Sequence, residues 1–435
     1  MRKPIFLMSI GSGLAVIGLI ATLSIAALAL SAQDETDNAG ENTTTSDAPW
    51  TAYLLDSQAD TMLAVDANGE TTEYSLDMPA GSFINAFEMP ITPERVAGYC
   101  GMTPPADGGA EFPEAILRVR DLTNGTNQVA LNLGNHMNCN AGPFGIGPNG
   151  EEVIAVSMLT RVPRNPADPG STPIWRLDLI EINTGETVAS LTSLDEAVGT
   201  IQLGEMMAEM DPASLPLMLI PVSIDTDAVR FQAILAMGDG GPVELPIYEW
   251  NPQTGAIRDM GEARNLAGNA DQSDGRTVSP IVDESLPVLE TMGIGPAYNA
   301  VTLIEADGTE RTIYQSDSLL VGATAFANGG EAIAVTLLSA MTMGMTDSQT
   351  ISVILLDLDG NIIREVETFN SYPQIAGTPD GFLIFEQTND TNSLTFTLNH
   401  HRADGTSTTV WETNRNIDNS GSMSFWQFVT VVPGA

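Results

Sequence analysis

Short apolar runs, each preceded by a cluster of turn-forming residues, recur along the chain from Trp50 onwards. For example, Val153-Ile154-Ala155-Val156 follows Gly147-Pro148-Asn149-Gly150, and Phe382-Leu383-Ile384-Phe385 follows Thr378-Pro379-Asp380-Gly381. Runs of this length, rich in β-branched and aromatic residues and separated by Gly, Pro, Asn and Asp, are typical of β-strands. Helical periodicity is scarce. The pattern predicts an all-β chain of short antiparallel strands.

A second type of turn, a polar residue followed by glycine between two strand-like runs, recurs seven times. These dipeptides are Asn68-Gly69, Asn124-Gly125, Thr184-Gly185, Thr254-Gly255, Asp307-Gly308, Asp359-Gly360 and Asp404-Gly405. Successive glycines lie 45 to 70 residues apart, near the period of about 40 to 50 residues of propeller blades. Seven outer hairpins predict a seven-bladed β-propeller over residues 50–435, with four strands in each blade.

Tight turns of the first type are expected to join the two inner strands of each blade. Six are present: Thr92–Arg95, Gly147–Gly150, Asp225–Asp227, Ser273–Arg276, Asn328–Gly330 and Thr378–Gly381. The missing seventh falls before Trp50–Leu55, which already has the pattern of a second strand. Met423–Val432 is a strand without a blade of its own. We therefore expect this C-terminal strand to complete blade one from the inside and to close the ring.

The order of elements within each predicted blade resembles that of a known superfamily. A turn and an apolar strand lead through a loop into a further strand such as Ile174–Leu179. This arrangement resembles the WD-repeat-like, TolB-type β-propellers of bacterial envelopes over nearly all of residues 50–432. No Trp-Asp dipeptide ends a strand. The resemblance implies a fold, with binding as the commonest use of that fold.

The predicted connections divide between the two faces of the ring. In a four-stranded blade the inner and outer hairpin turns lie on one face, here called the tight-turn face. The other connections lie on the opposite face, called the long-loop face because six of them are long. These are Thr103–Glu114, Thr160–Pro173, Thr192–Leu217, Gly238–Glu244, Ser285–Tyr298 and Ser339–Gln349. Long loops on a rigid scaffold commonly carry recognition, so this is the expected functional face.

The N-terminal segment, residues 1–32, predicts export from the cytoplasm. Arg2 and Lys3 precede a long stretch without charge. About 20 apolar residues suffice to span a bilayer, so residues 5–32 are long enough for a single-pass membrane anchor with its N-terminus inside. Leu30-Ser31-Ala32 is also an acceptable cleavage site. Cleavage there would make the segment a signal peptide and the protein secreted.

Charge and cysteine content also favour an extracytoplasmic protein. Residues 33–49 are polar and acidic and are expected to form a disordered stalk. The chain has 56 acidic and 16 basic side chains, which disfavours binding to nucleic acid. Cys100 and Cys139 are predicted near the long-loop face of neighbouring blades. In an oxidising compartment they are expected to form a disulfide, the alternative being a pair of buried thiols.

Methionine clusters and one histidine are candidates for the binding face. They are Met206, Met207, Met210, Met341, Met343, Met345 and His136. Thioethers together with an imidazole are copper ligands. Met clusters more often supply adaptable apolar contacts. A greasy binding surface is therefore the main interpretation, and copper is the alternative.

Other acidic and histidine motifs give only weak indications of a metal. Asp357-Leu358-Asp359-Gly360-Asn361 begins like a calcium loop, but no Glu stands at the twelfth position, where that ligand is required. An Asp-Gly hairpin turn explains the same residues, so calcium is an alternative to a plain turn. His400 and His401 are adjacent and would face opposite sides of a strand, which argues against a metal pair. No cofactor is predicted.

Recognisable enzyme motifs are missing from the sequence. There is no Gly-x-Ser-x-Gly elbow, Walker loop, His-Glu-x-x-His helix or dinucleotide fingerprint. The sequence predicts a membrane-tethered or secreted propeller that binds a protein, peptide or glycan through its long-loop face. The alternatives are an envelope hydrolase or lyase that uses carboxylates at the central channel, and a structural surface protein.

Overall fold

The computed structural model describes most of the chain beyond residue 48. Within the described ranges no helix combines the length and the apolar character of a membrane span. The predicted membrane segment and almost all of the predicted stalk lie outside them. The described residues are 49–56, 60–84, 89–105, 112–165, 168–192, 195, 217–235, 243–260, 271–283, 285–286, 298–339, 351–368, 373–389, 393–416 and 426–434.

Seven antiparallel sheets of four strands each make up the structure, which confirms the predicted seven-bladed β-propeller. Six blades take four consecutive strands, and the first strand of each is the innermost. The strands of blades two to four are β4 (Phe83–Ile84), β5 (Val96–Thr103), β6 (Glu114–Asp121), β7 (Thr126–Asn135), β8 (Asn138–Ile146), β9 (Glu152–Asn165), β10 (Asp168–Glu181), β11 (Thr187–Thr192), β12 (Leu217–Asp225), β13 (Ala228–Leu235), β14 (Val243–Trp250) and β15 (Ile257–Asp259).

Blades five to seven repeat the same order. Their strands are β16 (Asp271–Ser273), β17 (Arg276–Ile281), β18 (Ala300–Ile304), β19 (Glu310–Gln315), β20 (Leu319–Ala327), β21 (Ala332–Ser339), β22 (Ile351–Asp357), β23 (Ile362–Thr368), β24 (Gln374–Thr378), β25 (Gly381–Asn389), β26 (Ser393–Arg402) and β27 (Ser407–Asn416).

Blade one is completed by the C-terminal strand, as predicted. It consists, from the channel outwards, of β28 (Trp426–Pro433), β1 (Trp50–Asp56), β2 (Thr61–Asp66) and β3 (Thr71–Ser75). The register places Trp50 opposite Pro433 and Asp56 opposite Trp426. The two ends of the propeller are therefore held in one sheet, and the edges that an open array would expose are paired with each other.

The turns follow the predicted scheme. All seven glycines of the outer hairpins adopt positive φ angles, from 71° at Gly125 to 94° at Gly405, where a side chain would be strained. All six inner turns lie between the first and second strands of their blades. In blade five, Asp274 and Gly275 both have positive φ, the conformation of a type I′ hairpin turn.

The core consists of apolar clusters in the seams between neighbouring blades. Between blades one and two, for example, Tyr53 and Leu55 pack with Ala97 and Tyr99. Because both faces of a blade are covered by its neighbours, its middle strands are apolar on both sides. The Ile351–Asp357 strand of blade six has this character, with five consecutive buried residues.

One predicted loop is wrong. The segment Thr160–Pro173 forms the paired ends of β9 and β10, with Thr160 opposite Ile174 and Arg161 opposite Pro173. Its prolines led the sequence pattern to predict a loop, since proline lacks a ladder donor. The hairpin accommodates them around a register shift between Asp168 and Ser171. The other five predicted loops fall in or around connections on the long-loop face.

A disulfide joins blades two and three. Cys100 on β5 and Cys139 on β8 are linked, with their Cα atoms 5.8 Å apart. Both side chains are buried in the apolar cluster of this seam. The predicted pairing is therefore confirmed, and the alternative of two free thiols is wrong.

Candidate functional site

Carboxylates on the tight-turn face are bound by their own turns. Asp66 Oδ1 accepts hydrogen bonds from the amides of Asn68 and Glu70 at 2.9 and 2.8 Å. Asp404 Oδ1 accepts from the amide and the hydroxyl of Thr406 at 2.8 and 2.7 Å, and these bonds lower the pKa of Asp404. In the turns that are described on this face, the acidic side chains thus mainly accept hydrogen bonds from residues of the same turn.

The calcium-like motif is one of these turns. Asp357 Oδ1 accepts from the amides of Asp359 and Asn361 at 2.9 and 2.8 Å, and its Oδ2 accepts from Asn361 Nδ2 at 2.8 Å. Hydrogen bonds from Asn361 are the largest cause that holds the pKa of Asp357 below its ordinary value. The plain hairpin turn is therefore confirmed. Among the residues described there is no group of three or more His, Cys, Asp and Glu side chains arranged to hold a metal ion.

The third strand of blade seven has one polar and one apolar side. Along β26 from Ser393 to Asn399, half-buried polar residues alternate with the buried residues Leu394, Phe396 and Leu398. The apolar side packs towards blade one, where Leu394, Phe396 and Leu398 join the cluster that contains Trp50. The polar side faces blade six. A strand with both faces covered is expected to be apolar throughout, and the half-buried polar side of β26 departs from that expectation.

Apolar packing between blades six and seven stops part of the way along this seam. Phe382 and Ile384 on β25 pack against Ala334, Val353 and Leu355 of blade six. The next residue on the same side of β25 is Glu386, which lies towards the long-loop face. We call the half of the seam beyond Ile384 the polar seam. Its lining from blade seven is Glu386, Thr395, Thr397, Asn399 and Thr409.

A chain of hydrogen bonds orders the polar seam. Thr409 Oγ1 donates to Asn399 Oδ1 at 2.7 Å, and Asn399 Nδ2 donates to Glu386 Oε2 at 3.0 Å. The same Asn399 amide group lies 3.5 Å from Thr397 Oγ1. Burial raises the pKa of Glu386, and the hydrogen bond from Asn399 only partly offsets this effect. A half-buried carboxylate with a raised pKa in a cleft is typical of functional sites.

The tight-turn end of the same seam is closed by cationic and aromatic groups. Arg364 of β23 donates to the carbonyl oxygen of Arg402 at 3.4 Å and to Ser407 Oγ at 3.0 Å. His401 stacks on Phe382 with ring centroids 5.1 Å apart. The contacts of Arg364 join blades six and seven at this end of the polar seam.

His400 and His401 face opposite sides of blade seven, as predicted. His400 is fully buried, with its Nε2 3.2 Å from both Thr378 Oγ1 and Asp380 Oδ1 and its ring against Trp50 at 5.0 Å. The Nδ1 of His401 is 2.8 Å from Ser407 Oγ. His400 therefore lies in the seam with blade one, and His401 lies on the side of blade seven that faces blade six.

Of the predicted binding-face residues, only His136 falls within the described part of the chain. It lies in the two-residue connection between β7 and β8, half-buried on the long-loop face. Its Nε2 is 3.0 Å from the carbonyl oxygen of Leu133, and burial lowers its pKa. Met206, Met207, Met210, Met341, Met343 and Met345 lie outside the described residues, so a copper site or a greasy surface there stays a prediction.

Two exposed apolar side chains mark opposite ends of the innermost strands. Phe83, at the start of β4, is 49% exposed on the long-loop side. Ile146, at the end of β8, is 41% exposed on the tight-turn side.

The innermost strands of the structure contain two carboxylic acids, Asp225 at the end of one strand and Asp271 at the start of another. They lie towards opposite faces, so these strands do not bring acids together at one mouth of the channel.

Sequence reasoning did not select Glu386 or Asn399. The signal was present as the strict alternation Ser393-Leu394-Thr395-Phe396-Thr397-Leu398-Asn399. Alternation of period two indicates a strand with one polar face.

Comparisons with known proteins find only distant similarities to solved structures. No protein-family model matches the chain, and no curated protein does. Among solved structures it is similar to TolB from Acinetobacter baumannii (13% identity, TM-score 0.33, 74% of this chain and 64% of that one). It is also similar to the WD40 domain of SCAP from fission yeast (7%, 0.38, 84% of each chain) and to Pyrococcus horikoshii acylaminoacyl peptidase (12%, 0.40, 83% and 52%).

The chain thus spans 64% of the first of these proteins and about half of the peptidase. At such identities the similarity concerns the fold alone. The expected resemblance to TolB-type and WD-repeat-like propellers is found at that level, where the seven four-stranded sheets of the structure support it.

Proposed function

We propose that this protein is an extracytoplasmic recognition protein, membrane-tethered or secreted, that binds a protein, peptide or glycan through its long-loop face. The observation that supports the proposal is the chemical difference between the two faces. On the tight-turn face, acidic side chains are bound within their own turns. On the long-loop side, Phe83 is exposed and the polar side chains of β26 in the polar seam are half-buried.

The location outside the cytoplasm has two independent supports. A disulfide between two blades is characteristic of proteins that fold in an oxidising compartment. The sequence of residues 1–32 has the features of an export signal. A ring fixed by a disulfide and by strand closure is a preformed scaffold, which limits the entropy lost when a partner binds.

The two alternatives lack a specific observation in their favour. A hydrolase or lyase at the central channel requires converging acids, and the two acids of the described innermost strands lie towards opposite faces. No observation of the described residues specifically favours a purely structural protein. Recognition on the long-loop face accounts for more of the surface chemistry.

The proposal is tested with a pair of matched variants of the full chain. Phe83→Arg alters the long-loop side and Ile146→Arg alters the tight-turn side at a similarly exposed apolar residue. Binding to peptide and glycan libraries, and the shift in melting temperature that each ligand causes, are measured for both. We expect Phe83→Arg to reduce binding and Ile146→Arg to preserve it. The opposite order, or equal effects, would contradict the assignment of the face.

A further inference from the structure

We propose that the ring of blades opens reversibly between blades four and five, and that this seam separates while the other seams stay closed. This movement belongs to the scaffold and is independent of the proposed function. Three features of the described residues support it: the distribution of the apolar clusters, the polar side chains buried between these two blades, and the contacts that hold other seams together.

The apolar clusters of the core leave out one seam. The described residues form six such clusters, and each of them spans two neighbouring blades. In the described part of the chain, none of the six joins blades four and five. Blade four packs residues such as Phe231 and Tyr248 towards blade three, and blade five packs Val301 and Leu303 towards blade six. The two blades therefore turn their less apolar sides towards each other.

Polar side chains are buried where blades four and five meet. Because side chains alternate along a strand, Gln232, which follows Phe231, points towards blade five. Thr302 stands between two residues that pack towards blade six, so it points towards blade four, as does Ser279 opposite it in the register. Gln232, Ser279 and Thr302 are each 1% exposed. This seam thus buries one carboxamide and two hydroxyl groups.

Two of these buried groups lack a hydrogen-bond partner. Neither Gln232 Nε2 nor Thr302 Oγ1 is hydrogen-bonded to another described atom, and Ser279 Oγ donates to the carbonyl oxygen of the adjacent Pro280 at 3.2 Å. A buried polar group without a partner costs free energy, because it has given up its hydrogen bonds to water. Separation of the two blades restores those bonds, whereas separation at an apolar cluster exposes apolar surface.

The rest of this side of blade four is bonded within the blade. Ile220 and Ile247 are the neighbours of Gln232 in the register, but they belong to none of the six clusters of described residues. The next row towards the tight-turn face is charged, and both of its arginines pair with Glu249 of the same blade, at 3.6 and 2.6 Å. These pairs form within blade four and do not bridge the seam.

Other seams carry specific contacts in addition to their clusters. A disulfide joins blades two and three. Ser157 Oγ of blade three donates to the carbonyl oxygen of Leu219 of blade four at 2.5 Å, and Arg364 of blade six donates to Ser407 Oγ of blade seven at 3.0 Å. Opening between blades four and five breaks none of these contacts. It also leaves all seven sheets intact, because no sheet contains strands of both blades.

The experiment measures how often a buried position in each of two seams becomes accessible. Ser279→Cys and Ser157→Cys each place a thiol on the second strand of a blade, at a serine that is at most 1% exposed. The two native cysteines are bonded to each other, so the introduced thiol is the free one in each full-length variant. The rate at which a thiol reagent modifies it under native conditions reports the opening of its seam.

We expect Ser279→Cys to be modified about ten times faster than Ser157→Cys. Ser157→Cys also loses the hydrogen bond to Leu219, which acts against the expected order. Adding Gln232→Leu to Ser279→Cys replaces an unpartnered carboxamide with an apolar side chain and should slow the modification about tenfold. The same change should leave the rate for Ser157→Cys unaltered. Thr302→Val removes the other unpartnered group and should act in the same direction, and thermal unfolding shows that each variant is folded.

Three outcomes would overturn the inference. Equal rates for the two thiols would mean that both become accessible only when the whole ring unfolds. Faster modification of Ser157→Cys would mean that the seam between blades three and four opens first. An unchanged rate for Ser279→Cys with both Gln232→Leu and Thr302→Val would show that the buried polar groups do not favour opening. None of these measurements involves a ligand, so the proposed recognition function is tested separately.

Discussion

The guanidinium of Arg415, on the outer strand of blade seven, forms an ion pair with the carboxylate of Asp56, on the second strand of blade one. The Asp56 side chain is 3% exposed. The same guanidinium lies over the ring of Trp426, 5.1 Å from its centroid, and Trp411 packs edge-on against that ring at 5.3 Å. Side chains therefore reinforce the point at which the C-terminal strand closes the ring.

Replacing Arg415 with methionine should destabilise the protein strongly. The change removes the guanidinium from a buried carboxylate, and breaking a buried pair in this way costs about 3 to 5 kcal/mol. The control is Arg258→Met, because the Arg258 side chain is 67% exposed in its pair with Glu249, and an exposed pair is worth at most about 1 kcal/mol. The free energy of unfolding from denaturant titrations tests this, and equal losses for both variants would contradict it.

Deletion of Met423–Ala435 should cost much more stability than shortening the loop Thr103–Glu114. The deletion removes β28, and with it Phe428 and Val432, which are buried in the seams on either side of blade one. Burial of these two side chains alone is worth roughly 3 to 6 kcal/mol. Thermal unfolding measures the difference. A deletion variant that melts like the intact protein would disprove closure by the C-terminal strand.

Replacing both cysteines with alanine should lower the free energy of unfolding by about 4 kcal/mol. Cys100 and Cys139 are 39 residues apart, and the chain-entropy estimate for a loop of that length is about this size. Reduction of the unmodified protein should produce a similar loss, whereas the double-alanine variant should not respond to reductant. Unchanged unfolding of the reduced protein would contradict the prediction.

Acid should destabilise the protein through His401. Burial lowers the pKa of His401 from its ordinary 6.5 to about 4. Because the unfolded chain then binds a proton more readily than the folded one, protonation favours unfolding. Stability is complete above pH 6.5, declines as the pH falls towards 4, and has lost roughly 3 kcal/mol when the lower value is passed.

The His401→Gln variant should have a flatter stability curve between pH 6.5 and 4. His136→Gln is the comparison, since burial also lowers the pKa of His136. Chemical denaturation across this pH range measures both slopes. If His401→Gln keeps the full slope of the unmodified protein, the assignment of the acid sensitivity to His401 is wrong.

The number of blades and the closure were predictable because they depend on backbone conformations that few residues tolerate. Gly69, Gly125 and the other outer-turn glycines adopt positive φ angles. This backbone conformation favours glycine, so each outer turn is recognisable in the sequence by its glycine. The hairpin of β9 and β10 was not predicted, because its prolines at 163 and 173 resemble loop residues. Proline is therefore a weak guide to loops in this hairpin, where Pro163 and Pro173 both lie within paired strands.

The polar seam was not predicted, although its alternating pattern is visible from Ser393 to Asn399. Alternation shows that one side of a strand is polar, but it does not show what stands opposite that side. The distance between two blades depends on residues far apart in sequence, such as Val353 and Ile384. The disulfide was predicted correctly because two cysteines leave only one possible pairing.

Closure by β28 also brings both ends of the propeller to one face. The amide of Gly434 donates to the carbonyl oxygen of Pro49 at 2.6 Å, so the chain enters and leaves the propeller side by side on the tight-turn face. A tether attached ahead of Pro49 would pull on that face alone. Phe83 and the polar seam would then lie on the side of the propeller away from the anchoring surface. The long-loop face would be directed towards the surroundings.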